Sequence, residues 1–325
     1  MKKIIVKKYG DPENLIVEEF KSIKTKQDIV KIKVTAAGVN YADILLAKGR
    51  YQERPRPPFS PGLEISGTVL EIGPEVKKFK EGDKVMAIMK YGGYTQEALI
   101  PEENVYPIPD NMDLKIAAGF PVVYGTAYAA LVWKAKIKRN QLCLILGASG
   151  GVGLASIEIA KAKGSKVIAA AGSDQKLLDC KKHGADYLIN YNKNNIKQLL
   201  KSLSKYNNGI DIVIDLIGGN NAIDSIKNLS WNGKIVIVGF ASGKIPSIPA
   251  NRLLLKNAEA LGLYWGELAY REPELIGSSF REMGKWFSNG KLNPVITKEL
   301  NLSQAGDALL LLKDRKVSGK IILAC

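Results

Sequence analysis

The pattern of apolar and polar positions changes near residue 119 and divides the chain into regions of different rhythm. Before that point, short apolar runs are separated by Gly and Pro. The runs are "DIVKIKVTAAGVN", "EISGTVLEIG", "DKVMAIM" and "YTQEALIP". Short strands at close spacing predict a small, partly closed β domain. Residues 53–62, "ERPRPPFSPG", contain four prolines and are predicted to form a loop.

After residue 119, apolar runs alternate with helical patterns. The six runs are "QLCLILG", "KVIAAAG", "DYLIN", "IDIVIDLIGG", "GKIVIVGF" and "EALGLYW". Helices are predicted at 151–163, 174–183, 194–204 and 220–228, and a loop follows the fifth run. Continuous apolar strands alternating with helices indicate a parallel sheet covered on both faces. The predicted fold is therefore α/β, with a doubly wound nucleotide-binding sheet.

The last segment has a helical pattern over "PELIGSSFREMGKWFSNG" and ends in a strand, "GKIILAC". We expect this tail to return to the first domain. The predicted organisation is thus a β-rich catalytic domain at 1–118, a dinucleotide-binding domain at 119–265, and a C-terminal segment at 266–325.

Composition narrows the class of protein. Of the 325 residues, 46% are hydrophobic and 24% are charged, which is typical of a globular protein. The start, "MKKIIVKKYG", lacks the apolar run of about 7–15 residues that a secretory signal needs. The uncharged stretch 142–157 is too short and too glycine-rich to span a bilayer. We therefore expect a cytoplasmic protein with no membrane partner.

The net charge of +15 raises the question of nucleic-acid binding. Lys and Arg are spread along the whole chain without a dense basic block, so we do not expect nucleic acid as the main partner. An anionic small ligand fits the charge equally well. The three cysteines show no metal or redox spacing. His183 is the only histidine, which excludes a two-histidine site, and we expect it to be a solvated residue at a helix end.

The glycine-rich turn after the first run of the second region carries the strongest functional signal. It lies between a predicted strand and a predicted helix, where free backbone N–H groups and the helix dipole bind pyrophosphate. Its spacing is G-x-x-G-x-x-G rather than G-x-G-x-x-G. The cofactor-binding residues predicted here are Gly147, Ser149, Gly150, Gly151, Val152 and Gly153.

The tip of the second strand favours NADPH over NADH. An acidic residue there would bind the ribose 2′-OH of NAD, whereas this chain has Gly172 and Ser173. The Ser173 hydroxyl and the Lys176 ammonium suit a 2′-phosphate, and Tyr191 is expected at the adenosine end. Asp174 would repel that phosphate, and we interpret it as a cap at the helix start.

Motifs along almost the whole chain carry a family resemblance. They include "AAGVNYADILLAKGRY", "PGLEISGTVLEIG", "GDKVMA", "VYGTAYAAL", "GASGGVGLASIEIAK", "GADYLINY", "GLYWG" and "SGKIIL". The sequence resembles the zinc-free quinone oxidoreductase (zeta-crystallin-like) branch of the medium-chain dehydrogenase/reductase superfamily. The resemblance implies a GroES-like catalytic domain, a Rossmann domain and a nicotinamide cofactor in the cleft between them. It also implies homodimers or homotetramers, often formed by pairing the edges of two Rossmann sheets.

The zinc ligands of the related alcohol dehydrogenases are missing. Asn40 or its neighbour occupies the position of their first Cys, and Leu63 and Glu64 stand where they have "HE". Glu64 alone cannot hold zinc, so we predict no metal site and expect Glu64 to be a buried carboxylate paired with a basic residue. Without a Lewis acid, alcohol oxidation is difficult, whereas a quinone or an activated alkene accepts hydride readily.

The resemblance places four polar residues near the nicotinamide as catalytic candidates, namely Asn40, Tyr41, Tyr51 and Thr126. The alternative role of Asn40 is to form a turn, and that of Tyr41 is to pack against other residues. The alternative role of Tyr51 is to anchor a loop. Thr126 could instead cap the start of the helix that leads into the second domain. Asp43 is expected to brace the local turn. Gly239 and Phe240 are expected to end the fifth strand and to cover the nicotinamide ribose, and Tyr264 to shape the pocket.

The predicted function is an NADPH-dependent reductase that transfers hydride to a small-molecule quinone. One alternative is reduction of an enone or enoyl thioester, in which Tyr51 assists protonation. An alternative from another class is an NADPH-sensing or RNA-binding protein on a reductase scaffold.

Overall fold

The computed structural model describes residues 1–193 and 209–325. The predicted helix at 194–204 lies outside these residues. The described residues form two compact units. Unit 1 consists of Met1–Val122, Gly266–Ser288 and Pro294–Cys325. Unit 2 consists of the described part of Val123–Trp265 together with Asn289–Asn293.

The first part of unit 1 is rich in strands, as the short apolar runs predicted. The strands are β1 (Lys2–Ile5), β2 (Ile16–Glu19), β3 (Ile29–Val39), β4 (Glu64–Ile72), β5 (Lys84–Ile88), β6 (Glu97–Pro101) and β7 (Val105–Pro107). The same segment contains two short helices, which are α1 (Tyr41–Ala47) after β3 and α2 (Leu114–Ala118) after β7. β3 is central, because it pairs antiparallel with both β4 and β6.

The core of unit 1 is built on the inward faces of these strands. Val30, Ile32, Ile65 and Val85 have essentially no exposed surface and belong to one apolar cluster. Antiparallel strands of this kind bury one face and leave the other to solvent. The glycines and prolines between the runs end the strands, because neither residue suits a strand interior.

Unit 2 contains a parallel sheet of six strands. They are β8 (Leu142–Leu146), β9 (Lys166–Ala171), β10 (Tyr187–Asn190), β11 (Ile210–Asp215), β12 (Leu229–Ile237) and β13 (Glu259–Gly262). The strand order is β10-β9-β8-β11-β12-β13, and each neighbouring pair is parallel. This is the doubly wound order, with its switch point between β8 and β11. The predicted α/β class and all six predicted strands are confirmed.

Helices connect the strands of unit 2. The described helices are α3 (Pro121–Tyr128), which continues as a π-helical segment (Ala129–Lys134), α4 (Gly151–Ala162), α5 (Asp174–Lys182), α6 (Gly219–Ile226) and α7 (Ala250–Lys256). The prediction of only a loop after the fifth apolar run is wrong, because it contains α7. This helix has no buried residue, so its sequence shows no apolar stripe by which it could be recognised.

The tail adds further elements: α8 (Trp265–Arg271), α9 (Pro273–Ser288), β14 (Ile296–Asn301), α10 (Ala305–Lys313) and β15 (Lys320–Ala324). β15 pairs antiparallel with β3, which joins the last strand to the first domain's sheet. The apolar pattern of the tail did not predict β14 or α10. β14 is exposed or half-buried throughout, so it lacks the alternation of a half-buried strand.

No helix among the described residues has the length and hydropathy needed to cross a membrane.

Candidate functional site

The glycine turn of unit 2 begins directly after β8. Gly147 has φ +80°, which favours glycine, and its N–H and that of Ala148 donate to Ala170 O at 3.0 Å. Gly150 is the residue before α4. The N–H groups of Gly151, Val152 and Gly153 are in the first turn of α4, where they have no acceptor within the helix. These groups and the helix dipole are suited to the binding of an anion.

The three spaced glycines have different steric roles. A Cβ at Gly153 would lie 2.5 Å from Gly147 O and from Ala148 O, so close packing of the helix against the turn requires glycine. A Cβ at Gly147 would lie 2.7 Å from Ile217 Cγ2. At Gly150, by contrast, a Cβ would approach only Gly147 O, at 3.6 Å, and the residue is exposed. The missing side chain at Gly150 therefore leaves space for a ligand rather than for the protein.

The structure brings the predicted second-strand residues together at the carboxyl ends of β9 and β10. Gly172 follows β9, and its carbonyl accepts a 2.8 Å hydrogen bond from Asn192 Nδ2. A Cβ on Gly172 would lie 3.4 Å from the Tyr191 hydroxyl oxygen, so Tyr191 packs beside it. Ser173 caps α5 by accepting a hydrogen bond from Lys176 N, and Lys176 is half-buried in the first turn.

We expected Asp174 to cap the start of α5. This expectation is wrong, because Ser173 occupies the cap position. Asp174 instead accepts a hydrogen bond from Asn190 Nδ2 at 2.6 Å and pairs with Lys193 Nζ at 2.5 Å. The hydrogen bonds from Asn190 and Lys193 lower the pKa of the Asp174 carboxyl. Its negative charge is thus directed to a neighbouring ammonium, which weakens its repulsion of a nearby phosphate.

The carboxyl end of β11 lies next to the glycine turn, because Asp215 is paired in register with Leu146. Asp215 Oδ1 accepts from Gly218 N at 2.8 Å and from Ile217 N at 3.1 Å. Asp215 Oδ2 is buried and has no partner among the described residues, and burial raises the pKa of this carboxyl. Asp215 was not among the candidate site residues predicted from the sequence. Its position as an acidic residue at the end of an apolar run could have indicated it.

Gly239 and Phe240 follow β12 rather than end it, since the strand stops at Ile237. Gly239 N donates to Asp215 O at 3.3 Å, so these residues lie at the same sheet edge as the glycine turn. Tyr264 follows β13 in the same way and is partly exposed.

Thr126 does not start a helix. The helix begins at Pro121, as proline favours the first helical position, and Thr126 is buried in its second half. Its predicted role as a donor near the nicotinamide stays a prediction.

His183 is not a solvated helix-end residue. Its Nδ1 lies 2.5 Å from Glu158 Oε1, and its side chain is 11% exposed. Glu158 Oε2 accepts hydrogen bonds from the Tyr124 hydroxyl at 2.7 Å and from Asn293 N at 2.9 Å. Glu158 is buried in α4, and a buried carboxylate needs such partners, which the sequence pattern did not reveal.

The second group of candidate residues lies in unit 1, where β3 ends and α1 begins. Asn40 is buried, and its Nδ2 donates to Glu64 Oε1 at 2.8 Å. Lys320 Nζ donates to Asn40 Oδ1 at 2.7 Å, to Glu64 Oε1 at 2.5 Å and to Val39 O at 3.0 Å. Glu64 Oε2 accepts from Val122 N at 2.8 Å. Glu64 is therefore buried and paired with a base, as expected, and the base is Lys320.

Asp43 braces the turn next to this group. Its Oδ2 accepts from Asn40 N at 2.8 Å and from the Tyr94 hydroxyl at 2.9 Å, and its Oδ1 accepts from Gly62 N at 3.1 Å. Burial raises the pKa of the Asp43 carboxyl to about 6, although these hydrogen bonds and the charge of Lys320 act to lower it. Burial and the adjacent Asp43 also raise the pKa of Tyr94, so its hydroxyl donates as a neutral group.

Tyr41 and Tyr51 differ in their surroundings. Tyr41 begins α1 and is exposed, so its ring is not a core residue. Tyr51 is partly buried against a small apolar cluster that includes Leu46 and Phe59. That packing limits the movement of its ring and agrees with a loop anchor as much as with a catalytic role.

Glu64, which stands at a position that carries a zinc ligand motif in the related alcohol dehydrogenases, is engaged in hydrogen bonds within the protein. Both oxygens of Glu64 are engaged, by Asn40 and Lys320 on one side and by Val122 on the other. Within 1–193 and 209–325, no three His, Cys, Asp or Glu residues lie close enough to hold a metal ion.

The residues of unit 2 fit a dinucleotide. The free N–H groups at the start of α4 suit the pyrophosphate, and the exposed Gly150 leaves room for it. Ser173, Lys176 and Tyr191 are at the neighbouring strand ends, where the adenosine ribose binds in this fold. When bound, a nicotinamide cofactor supplies a hydride.

Comparison with known proteins agrees with this arrangement. Residues 26–110 match the family described as "Alcohol dehydrogenase GroES-like domain", and residues 151–285 match "Zinc-binding dehydrogenase". A protein named quinone oxidoreductase-like protein 2 from Bos taurus is 38% identical over 311 residues, which cover 95% of this chain and 89% of that protein. A quinone oxidoreductase from Sus scrofa is 32% identical over 327 residues, covering 99% and 97%.

The solved structures include Escherichia coli quinone oxidoreductase complexed with NADPH. It superposes with a TM-score of 0.93 at 26% identity and covers 100% of both chains. Fold, glycine turn and relatives together define a nicotinamide-dependent oxidoreductase with a GroES-like domain and a Rossmann domain. The chain belongs to the quinone oxidoreductase family of the medium-chain dehydrogenase/reductase superfamily. The resemblance and the fold class that the sequence predicted are confirmed.

The raised pKa of the buried Asp43 carboxyl in unit 1 can be tested through the pH dependence of stability. Its pKa of about 6 exceeds the ordinary value of 3.8, so the folded state binds more protons than the unfolded state between these values. The stability that Asp43 contributes is then present below pH 4 and is lost as the pH rises through about 6. A difference of about 2 in pKa corresponds to about 3 kcal/mol.

We expect the free energy of unfolding of the wild type, minus that of Asp43→Asn, to decrease by up to about 3 kcal/mol between pH 4 and pH 7. Denaturant titrations at a series of pH values measure this difference. A difference that is constant or increases with pH would show that Asp43 is ionised throughout.

Proposed function

We propose that this oxidoreductase uses NADPH to reduce a quinone. The observation that carries the cofactor choice is the end of β9, where Ser173 and Lys176 provide a hydroxyl and an ammonium and where Lys193 pairs with Asp174. Within the described residues, the carboxylate of Asp174 is therefore compensated rather than left to bind a ribose 2′-OH. The relatives named quinone oxidoreductase, and the Escherichia coli structure complexed with NADPH, support the same choice.

The residues of unit 2 have separate roles in holding the cofactor. The first-turn N–H groups of α4 bind the pyrophosphate, while Ser173, Lys176 and Tyr191 bind the 2′-phosphate and adenosine ribose. Gly239 and Phe240, at the end of β12, cover the nicotinamide ribose. The position of these residues at the ends of parallel strands, where nucleotides bind in this fold, supports these assignments.

We expect Lys176→Ala to weaken NADPH binding about tenfold and to leave NADH binding almost unchanged. A hydrogen bond to a charged group contributes about 1.5–3 kcal/mol, and only NADPH carries the 2′-phosphate. Isothermal titration with both nucleotides measures the two dissociation constants. Lys182→Ala is the matched control, because it removes the same charge from the other end of α5. Equal weakening of both nucleotides by Lys176→Ala would remove the 2′-phosphate assignment.

We propose that the acceptor is a small molecule and that hydrogen-bond donors of the chain bind it. A quinone that accepts hydride develops negative charge on oxygen, which hydrogen-bond donors stabilise. Asn40, Tyr41, Tyr51 and Thr126 are the candidate donors. Orientation of the two reactants contributes up to about 7–11 kcal/mol, so no metal activation of the acceptor is needed.

Reduction of an enone or enoyl thioester is the second candidate function, and Tyr51 favours it. Its ring is held by the apolar cluster around Leu46 and Phe59, which gives the hydroxyl a restricted position. Enone reduction requires a proton on carbon after hydride transfer, whereas quinol formation protonates oxygen, which exchanges readily with water. A fixed acid therefore matters only for the enone.

Steady-state assays with NADPH against 1,4-benzoquinone, an enone and crotonyl thioester test both functions. We expect the quinone to be reduced with the highest kcat/KM. Tyr51→Phe should lower kcat for any enone activity about tenfold or more, because a general acid contributes about 10²–10⁴-fold, and leave the quinone rate unchanged. Tight NADPH binding without turnover of any acceptor, together with salt-dependent RNA binding, would favour the sensing or RNA-binding alternative.

We further propose that the protein is a homodimer formed at the β13 edge, or a homotetramer of two such dimers. Among the described residues β13 pairs with β12 alone, so its outer edge is open. The adjacent α7 exposes Leu254 and Leu255, which are 77% and 70% exposed. An open edge beside exposed apolar side chains suits a self-complementary two-fold contact.

Light scattering coupled to gel filtration tests the assembly. We expect a dimer or tetramer for the wild type and a shift to monomer for the double variant Leu254→Glu/Leu255→Glu, because two charges would be buried in the contact. Leu178→Glu is the control, since Leu178 is 49% exposed on α5. A monomeric wild type would contradict the proposal.

A further inference from the structure

We propose that Lys320 and Glu64 are positioning residues that orient the carboxamide of Asn40 toward the acceptor oxygen. The inference rests on the proposed function, in which Asn40 is a hydrogen-bond donor. It assigns a role to Lys320, which lies 280 positions from Asn40 in the chain.

Strand pairing brings the three side chains together. Because Ile321 is paired in register with Val39, the preceding Lys320 and the following Asn40 meet at the same end of the two antiparallel strands. Gly38 lets Glu64 approach, since a Cβ there would lie 2.3 Å from Glu64 Oε1. The side chains of Lys320 and Glu64 are only 6% and 0% exposed, so their charges interact with little screening by water.

The hydrogen bonds determine which way the Asn40 amide faces. Its Oδ1 accepts from the Lys320 ammonium, and its Nδ2 donates to the Glu64 carboxylate. A flipped amide would place its NH₂ group against the ammonium and its oxygen against the carboxylate. Both contacts would be repulsive in a buried site, so one orientation is strongly preferred.

One hydrogen of the Asn40 amide remains for a ligand. All three N–H groups of Lys320 are used, by Val39 O, Asn40 Oδ1 and Glu64 Oε1. Nδ2 of Asn40 has two hydrogens, and Glu64 is its one acceptor within the described part of the chain. The ammonium on Oδ1 draws electron density from the amide, which makes the remaining N–H a better donor to an oxygen that gains negative charge.

Stability alone does not explain the buried charges. Buried ion pairs can often be replaced by uncharged groups without loss of stability, whereas removing one partner is costly. The test therefore compares Lys320→Met, which leaves Glu64 without its counter-ion, with the double variant Lys320→Met/Glu64→Gln, which removes both charges. The glutamine oxygen can still accept the hydrogen bond from Val122 N.

We expect Lys320→Met to lower Tm by about 5–10 °C and the double variant to lie within about 3 °C of the wild type. With NADPH and 1,4-benzoquinone, the double variant should lose about 10- to 100-fold in kcat, while its dissociation constant for NADPH changes less than twofold. In the Asn40→Ala background, the same double substitution should cost less than twofold in kcat, because its effect acts through Asn40.

Three results would overturn the proposal. Recovery of kcat together with Tm in the double variant would show a purely structural role. Weaker NADPH binding would assign Lys320 to the cofactor. An undiminished loss of kcat in the Asn40→Ala background would show that Lys320 and Glu64 act independently of Asn40.

The side-chain amide of Asn40 gives a readout that does not depend on turnover. In ¹H–¹⁵N spectra, the side-chain signals of Asn40 are assigned by their loss in Asn40→Ala. We expect a large chemical-shift difference between its two amide protons in the wild type and a small one in the double variant. If the wild type reduces no acceptor, the proposed function fails. Amide signals that are the same in the wild type and the double variant would then also refute the orienting role.

Discussion

The compensation of a buried carboxylate by a buried ammonium is the constraint on which the candidate site of unit 1 depends. Glu64 has no exposed surface, and Lys320 is almost as deeply buried. Charges in such a place are tolerated only when they are paired and hydrogen-bonded. The pair in turn holds Asn40, whose backbone N–H binds Asp43. The local structure around the start of α1 is therefore specified by electrostatics as well as by apolar packing.

Unit 2 depends on a different property, the common direction of its strands. Parallel strands bring all their carboxyl ends to one edge, and the helix that follows a strand presents free N–H groups there. The turn at Gly147 and the cap at Ser173 occur at this edge because each follows a strand, and the buried Asp215 because it is the last residue of one. In the proposed function, a dinucleotide is recognised mainly by backbone groups, whereas the 2′-phosphate is distinguished by side chains.

These two arrangements divide the chemistry between the units. In the proposed function, the parallel sheet supplies the binding groups for a nicotinamide cofactor, and the β-rich unit supplies polar groups for a small-molecule acceptor. Glu64 is engaged by Lys320, Asn40 and Val122, so this buried carboxylate has the structural pairing that the sequence analysis expected. An acceptor that is already electron-poor suits such a site, because hydride transfer to it requires chiefly orientation and a donor for the developing charge.

The sequence by itself determined the six parallel strands, the glycine turn and the family, since these depend on local apolar runs and short motifs. It missed α7 and β14, which have no buried side chain and so leave no regular apolar pattern. It also missed α10, although its buried residues Ala305, Ala308 and Leu309 follow helical spacing. Only the tertiary structure decided that Lys320 meets Glu64 and that His183 meets Glu158. Long-range strand pairing and helix packing create those contacts, and a lysine or a histidine that will be buried looks in sequence like one that will be solvated.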